Sequence, residues 1–523
     1  MNKIFRASNP VVFSDYPDPD IIRVGDTYYM ASTTMFYMPG CDILRSYDLI
    51  NWELMDQVYD TLEDNPAHNL EGDSNIFGKG MWAPTLRWHE GNFYLLFAAN
   101  DTQTTYLFTS PTAEGPWRRI KMEGMFYDAS LFFDDDGRVY IIHGHITLRL
   151  TELRRDLTGA KEGGLDRIIA VDDPDIPLGY EGSHMYKLNG RYYVFTCHMH
   201  SRDNGRKTEV CLVSDSLEGE FTGGCVINDD MGYHELGVAQ GGIVDTPDGE
   251  WYAFMFQDRG ALGRAPVLLP MHFDESGFPV MGTEGRVPFE VEGASTRPEH
   301  VYAPINGDDD FSVGQENVGR NGLKRFWQFS HNPDDSLWSI TQRENAFSVT
   351  TGKLSAGLSQ ARNVLTQRMT GHHCAAEVTV DGTLLRDGDF AGLSAYECCF
   401  GFIALTREKG KYYLVMRSKP AKNETIFGDF DYDAQGKEYA RIPVDSPAVT
   451  LRLEADFTDK RDEAQFMYLC GGEWKKLGIT QKLYFKMDYF TGCRFGLFCY
   501  STESIGGRAD FMNFRYFDSK DKR

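Results

Sequence analysis

Between Tyr16 and Tyr252 the apolar and polar positions fall into one unit that recurs five times: a lead residue, an apolar run, a glycine turn and an aromatic-rich second run. The copies are DPDIIRVGDTYYMAS from Asp18, WAPTLRWHEGNFYLLFA from Trp82, DASLFFDDDGRVYIIHG from Asp128, EGSHMYKLNGRYYVFTC from Glu181 and QGGIVDTPDGEWYAFMF from Gln240. In the last four the turn glycine lies nine residues after the lead; in the first, Gly25 lies seven after Asp18. A fixed offset inside repeats separated by variable insertions is the mark of stacked units joined by free loops. Each copy predicts two antiparallel strands, because the D-G, N-G and E-G pairs suit a hairpin turn and the flanking Tyr, Phe, Val and Trp suit a pleated sheet. Five such sheets around an axis predict a five-bladed β-propeller with the lead residues facing one channel.

The repeats and their closing strand reach about residue 290, and the Pro-, Gly- and charge-rich stretch from Val291 to Phe311 reads as a linker. Beyond it, runs such as CAAEVTV, FAGLSAY, CFGFIALT, VTLRLEA and CRFGLFCYS alternate with period two and predict a β-sandwich of about ten or more strands. The expected organisation is all-β, with a propeller domain over residues 1–300 and a sandwich domain over 309–523. A length of 523 residues fits two domains.

Aromatics make up 13% of the chain, enough to suggest stacking on a flat partner such as a sugar ring or a nucleobase, and the net charge of −24 argues against nucleic acid. No run approaches the length of a membrane span and the N-terminus lacks the apolar stretch of a signal peptide, so the expected setting is cytoplasmic. The ten cysteines then read as reduced, buried small apolar residues rather than as bridges or zinc ligands. Neither His372–His373 nor the pair His198 and His200 has zinc-motif spacing, and the acidic run Asp134–Asp136 before Gly137 reads as a hairpin turn rather than a calcium loop.

The five leads are Asp18, Trp82, Asp128, Glu181 and Gln240. Three carboxylates gathered in a channel must share protons, bind a cation or do chemistry. Glycoside hydrolysis uses such a set: an acid for the departing oxygen, a carboxylate that activates water or attacks carbon, and a third group that tunes the acid.

YPDPDIIRVGDTYYM, GMWAPTLRWHEGNFYLLFA, FYDASLFFDDDGRVYI and YEGSHMYKLNGRYYVF resemble the blade motifs of glycoside hydrolase family 43, the five-bladed propeller β-xylosidases and α-L-arabinofuranosidases. HNPDDSLWSITQR, QARNVLTQR, DGDFAGLSAY and GGRADFMNFRYF are similar to the concanavalin-like β-sandwich that follows many of these propellers. The resemblance implies Asp18 as general base, Glu181 as general acid and Asp128 as the carboxylate that tunes the acid and orients the sugar. It implies inversion, with base and acid about 6.5–9.5 Å apart. Trp82 matches a pocket-lining aromatic, with a hydrophobic plug as the other reading; Arg264 matches a sugar-binding arginine, with a surface salt bridge as the other. Met35 and Phe36 are read either as pocket wall or as core. Asp20 and Ser183 stand where the family commonly has serine and proline. Gln240 replaces a histidine that holds a central ion in several members; no cofactor is required, and a structural Ca²⁺ in the channel stays an open alternative.

The leading expectation is an exo-acting, inverting glycosidase that releases terminal β-1,4-linked xylose from small oligosaccharides. The rivals are α-L-arabinofuranosidase or dual activity, a retaining fructan-cleaving propeller whose WMNDPNG, RDP and EC signatures are missing from the propeller region, and a non-catalytic carbohydrate-binding propeller. Nothing in the sequence sets the number of subunits in a homo-oligomer.

Overall fold

The computed structural model describes residues 3–199, 206–421 and 435–519; His200 lies outside them. The five sequence copies form the first hairpins of five four-stranded antiparallel sheets. The first strands are Asp20–Val24, Met81–His89, Ser130–Phe133, Glu181–Leu188 and Val238–Asp245, and each touches the first strand of the next blade until the ring closes. At the turns, Gly91 and Gly190 both take φ of 82°, which is strained for residues with a Cβ.

Period-two alternation explains why the blades stack. Leu131 and Ile141 face the cluster shared by blades two and three, while their neighbours Phe132 and Ile142 face the cluster shared by blades three and four. Both faces of a blade are therefore buried, and each side chain so buried contributes about 1.5–3 kcal/mol. The sequence reading placed a linker from Val291; in the structure Glu290–Ala294 is a strand that pairs antiparallel with Ile4–Ser8. Its partner lies at the other end of the propeller chain, so no local alternation signals it.

The C-terminal region is a two-sheet sandwich whose core holds Trp327, Val378, Leu393, Phe466 and Phe495. One of its sheets ends on a propeller segment, since Tyr37–Met38 pairs with Gln328–Ser330. The contact continues in an apolar cluster that joins Phe36 and Phe77 to Phe400, Tyr489 and Phe490. Beside it lies a buried polar knot: Arg368 Nη2 meets Asp42 Oδ2 at 2.7 Å, Gln328 Nε2 donates to Asp42 Oδ1 at 3.2 Å, and Arg494 Nη1 donates to Gln328 Oε1 at 2.7 Å. All ten cysteines are free thiols; eight are buried, whereas Cys225 and Cys470 are exposed on sheet strands, contrary to a uniformly buried set.

Candidate active site

Each lead residue sits where a blade begins, and the backbone there is unusual. Asp18, Asp128 and Gln240 take φ of 49°, 49° and 56°, and Ala83 and Gly182, one residue after Trp82 and Glu181, take 41° and 61°. The strand register slips at the same places, between Trp82 and Thr85, Glu181 and His184, and Ala239 and Gly241. A bulge at the mouth of a strand re-aims the side chain that precedes the regular ladder. Here three such bulges, with a positive φ at or beside all five leads, turn the five lead side chains toward one cavity of about 420 Å³.

Asp18, Trp82, Asp128, Glu181, Gln240 and Arg264 all line that cavity. Met35 and Phe36 do not: both are fully buried, and Phe36 packs against Phe77, His331 and Tyr489 in the cluster that joins propeller to sandwich. Their immediate neighbour Tyr37 is drawn into the sandwich sheet, which removes the segment from the pocket wall.

Asp18 is held from two sides, by Arg264 Nη1 at 2.5 Å and by the Thr33 hydroxyl at 2.7 Å. Arg264 also donates from Nε to Asp258 Oδ1 at 3.2 Å, and Asp258 meets Lys207 Nζ at 2.7 Å. Burial opposes its charge, but these two carboxylates hold the Arg264 guanidinium above its ordinary range. Two of its nitrogens are committed to protein carboxylates, and among the described residues Nη2 meets the sulfur of Met487 at 3.8 Å. The guanidinium lies 4.0 Å from the ring centre of Phe490. Arg264 thus lines the cavity and is ion-paired there in a buried setting, not in the surface salt bridge that was its other reading.

Asp128 accepts a hydrogen bond from the Gly182 N–H at 2.9 Å. Burial, with the charges of Glu181 and Asp18 beside it, pushes its carboxyl well above the usual carboxylate range. Glu181 Oε2 receives His145 Nδ1 at 2.9 Å and the Tyr127 hydroxyl at 3.5 Å, and its backbone carbonyl accepts the Thr196 hydroxyl at 2.8 Å. Gln240 packs its side chain where a Cβ on Gly182 would lie, takes a thiol contact from Cys197 at 3.8 Å, and donates its N–H to Glu209 at 2.8 Å. Among the described residues, no group of three or more His, Cys, Asp or Glu side chains is arranged to hold a metal ion.

Asp20, two residues after Asp18, is a hub beneath the site. Against full burial, Arg87 at 2.6 Å and His184 at 3.1 Å hold its carboxyl well below the usual range. It thereby ties blades one, two and four, and Arg87 reaches on to Ser130 of blade three at 2.8 Å. The acidic run also turns out to be structural: Asp134 joins Lys187 at 2.5 Å and the Tyr192 hydroxyl at 2.9 Å.

The rest of the wall escaped the sequence reading. Tyr127 directly precedes Asp128 in a recognised motif and was within reach. His145, Pro177 and Leu178 come from loops, Met199 ends the second strand of blade four, and Met487, Asp488 and Phe490 come from the sandwich, more than two hundred residues from any propeller repeat. Trp82 stands under this sandwich roof, its ring 5.1 Å from Phe490 and 6.4 Å from Tyr127 in edge-on contacts.

Two family profiles match the chain: glycosyl hydrolases family 43 over residues 7–279, and the β-xylosidase C-terminal concanavalin A-like domain over residues 319–517. A β-xylosidase of Formosa agariphila is 25% identical over 97% of this chain and 90% of its own length. A non-reducing end α-L-arabinofuranosidase of Bacteroides ovatus is 28% identical over 75% of this chain and 73% of its own. Among solved structures, a bifunctional GH43-CE protein of Bacteroides eggerthii superposes with a TM-score of 0.89 at 39% identity; it covers 99% of this chain, which spans 64% of that protein. With the first profile spanning more than half the chain, and the second matching the sandwich that roofs the carboxylate cavity, the chain belongs to glycosyl hydrolases family 43.

Proposed function

We propose that the chain is an exo-acting, inverting glycosidase that removes terminal β-1,4-linked xylose from short xylo-oligosaccharides. The observation that carries this reading is the single cavity in which carboxylates of blades one, three and four face a roof supplied by the sandwich. A cavity of ligand size under a roof selects a chain end over a chain interior.

In this reading Asp18, aligned by Arg264 and Thr33, takes a proton from the attacking water. Glu181 gives a proton to the departing glycosidic oxygen. Asp128, kept neutral by burial and by its charged neighbours, presents a hydrogen-bond donor to the sugar, as a carboxyl held protonated in an apolar site does. Trp82 and Phe490 offer aromatic faces to the C–H surface of the pentose, and Arg264 Nη2 is the donor left for a sugar hydroxyl. The Bacteroides ovatus relative supports a second substrate, a terminal α-L-arabinofuranoside, for the same machinery.

The test is hydrolysis of 4-nitrophenyl β-D-xylopyranoside and 4-nitrophenyl α-L-arabinofuranoside by the full chain and by Glu181→Gln. Activity that collapses in the variant supports the reading, and the faster substrate names the sugar. Equal turnover in the two proteins removes Glu181 from the chemistry, and inactivity on both substrates removes the pentosidase reading.

A further inference from the structure

The carboxylate assigned as general acid is not alone at the cavity mouth. His145 lies in the loop between the second strand of blade three, Val139–His143, and the third, Thr147–Glu152. Its Nδ1 lies 2.9 Å from Glu181 Oε2. The side chain of His145 is 41% exposed while that of Glu181 is 13% exposed, so the imidazole stands between the acid and bulk water.

The loop is built to hold this contact. The N–H of Ile146 donates to the carbonyl of Tyr180, the residue before Glu181, at 3.0 Å, and the N–H of Gly144 donates to the carbonyl of Tyr127 at 2.9 Å. Ile146 accepts the left-handed φ of 64° that this path requires. A surface histidine needs none of this support. On top of the acid it needs a loop clamped to the acid's own strand.

We propose that His145 is the positioning residue that stores the catalytic proton and passes it to Glu181. In the free enzyme the imidazolium donates from Nδ1 to the Glu181 carboxylate. When a sugar expels water from the cavity, the separated charges lose their solvation, and the proton crosses from Nδ1 to Oε2 to leave a neutral imidazole and a carboxylic acid. Glu181 then protonates the glycosidic oxygen as the C–O bond breaks and its electron pair stays on oxygen. The neutral imidazole takes a proton from solvent, Asp18 releases to solvent the one it drew from water, and the site is reset with protons balanced.

Among the described residues, the charged and titratable groups that face His145 are Glu181 on blade four, Asp172 after the last strand of blade three, and the Tyr127 ring at 6.2 Å; Asp172 is itself paired with His198 at 3.0 Å. The hydrogen bond to Glu181, followed by its charge and that of Asp172 and opposed by partial burial, raises the imidazole above its ordinary 6.5. The stored proton is therefore held to higher pH than on an ordinary imidazole and is lost on the alkaline side.

This inference rests on the glycosidase reading, and the experiment separates the two. The pH dependence of kcat/KM is measured for the full chain, for His145→Asn, which keeps an amide donor but does not titrate, and for His145→Ala. Methyl β-D-xyloside or xylobiose serves as the substrate that needs an acid, and 2,4-dinitrophenyl β-D-xyloside as the one that does not. The expected result is an alkaline limb moved toward acid by about one pH unit in both variants, with about tenfold lower kcat/KM at pH 7.5 on the poor leaving group and little change on the activated one. A limb that stays in place, or equal losses on both leaving groups, overturns the proton role. Wild-type inactivity on every substrate would instead strike the glycosidase reading.

Discussion

Glu209 offers a test in which the energy can be worked through. It lies on the third strand of blade four, fully buried, with one oxygen bonded to the Gln240 N–H and the other without a hydrogen-bond partner among the described residues. Burial pushes its carboxyl up to about 8 from an ordinary 4.5, against which the single backbone hydrogen bond pulls. The folded protein thus binds one proton at pH 7 that the unfolded chain has released. For an acid raised in the folded state, the destabilisation is absent below pH 4.5, grows between pH 4.5 and 8, and is complete above pH 8. At pH 7 the linkage amounts to about 3 kcal/mol, and above pH 8 to about 5 kcal/mol. Glu209→Gln has nearly the shape of the protonated acid and keeps an oxygen for Gln240, but it carries no titration. Thermal unfolding of both proteins across pH 5–9 should show the variant more stable, with a gap that widens up to pH 8 and is level beyond it. A gap that does not change with pH, or a variant less stable at pH 8, refutes the reasoning.

Three further outcomes follow from the same contacts. Arg264→Lys should lower kcat/KM by about 10- to 100-fold, because one ammonium cannot hold Asp18 and Asp258 together and stack on Phe490; steady-state kinetics with unchanged activity would contradict it. Phe490→Ala should raise KM more than it lowers kcat and cost about 3–5 kcal/mol in stability, since the ring packs both on Trp82 and in the joint between propeller and sandwich; calorimetry alongside kinetics checks both parts. A chain ending at Asp308 should be insoluble or inactive, because it strips the partner strand from Tyr37–Met38 and leaves Asp42 without Arg368; a soluble, fully active fragment would show that the sandwich lends nothing to the site.

The propeller was legible because its information is local and repeated. A hairpin of two apolar runs around a glycine is visible in fifteen residues, and five copies in register reveal the ring. The lead residues were legible for the same reason, since their offset from the turn marks them whatever the blade. The bulges that aim three of them were not, because alternation does not show where a ladder slips by one residue. Met35 and Phe36 show the limit from the other side: an apolar run next to a site motif looks like pocket wall until the sandwich sheet claims Tyr37–Met38. Asp20 looked like a departure from a family pattern and is a buried junction of three blades, a role set by Arg87 and His184 from distant repeats. The roof at Met487–Phe490 and the histidine over Glu181 depend on loops whose placement follows from packing between domains and blades, which carries no periodic signal.

The most direct test of the central claim is the stereochemistry of the first product, followed by proton NMR as the full chain hydrolyses 2,4-dinitrophenyl β-D-xyloside, or the arabinofuranoside if that is the better substrate. With Asp18 as base and Glu181 as acid, the anomeric signal that grows first is the inverted one, α-xylose from the β-xyloside. First appearance of β-xylose would mean a covalent intermediate on one of these carboxylates and would contradict the account.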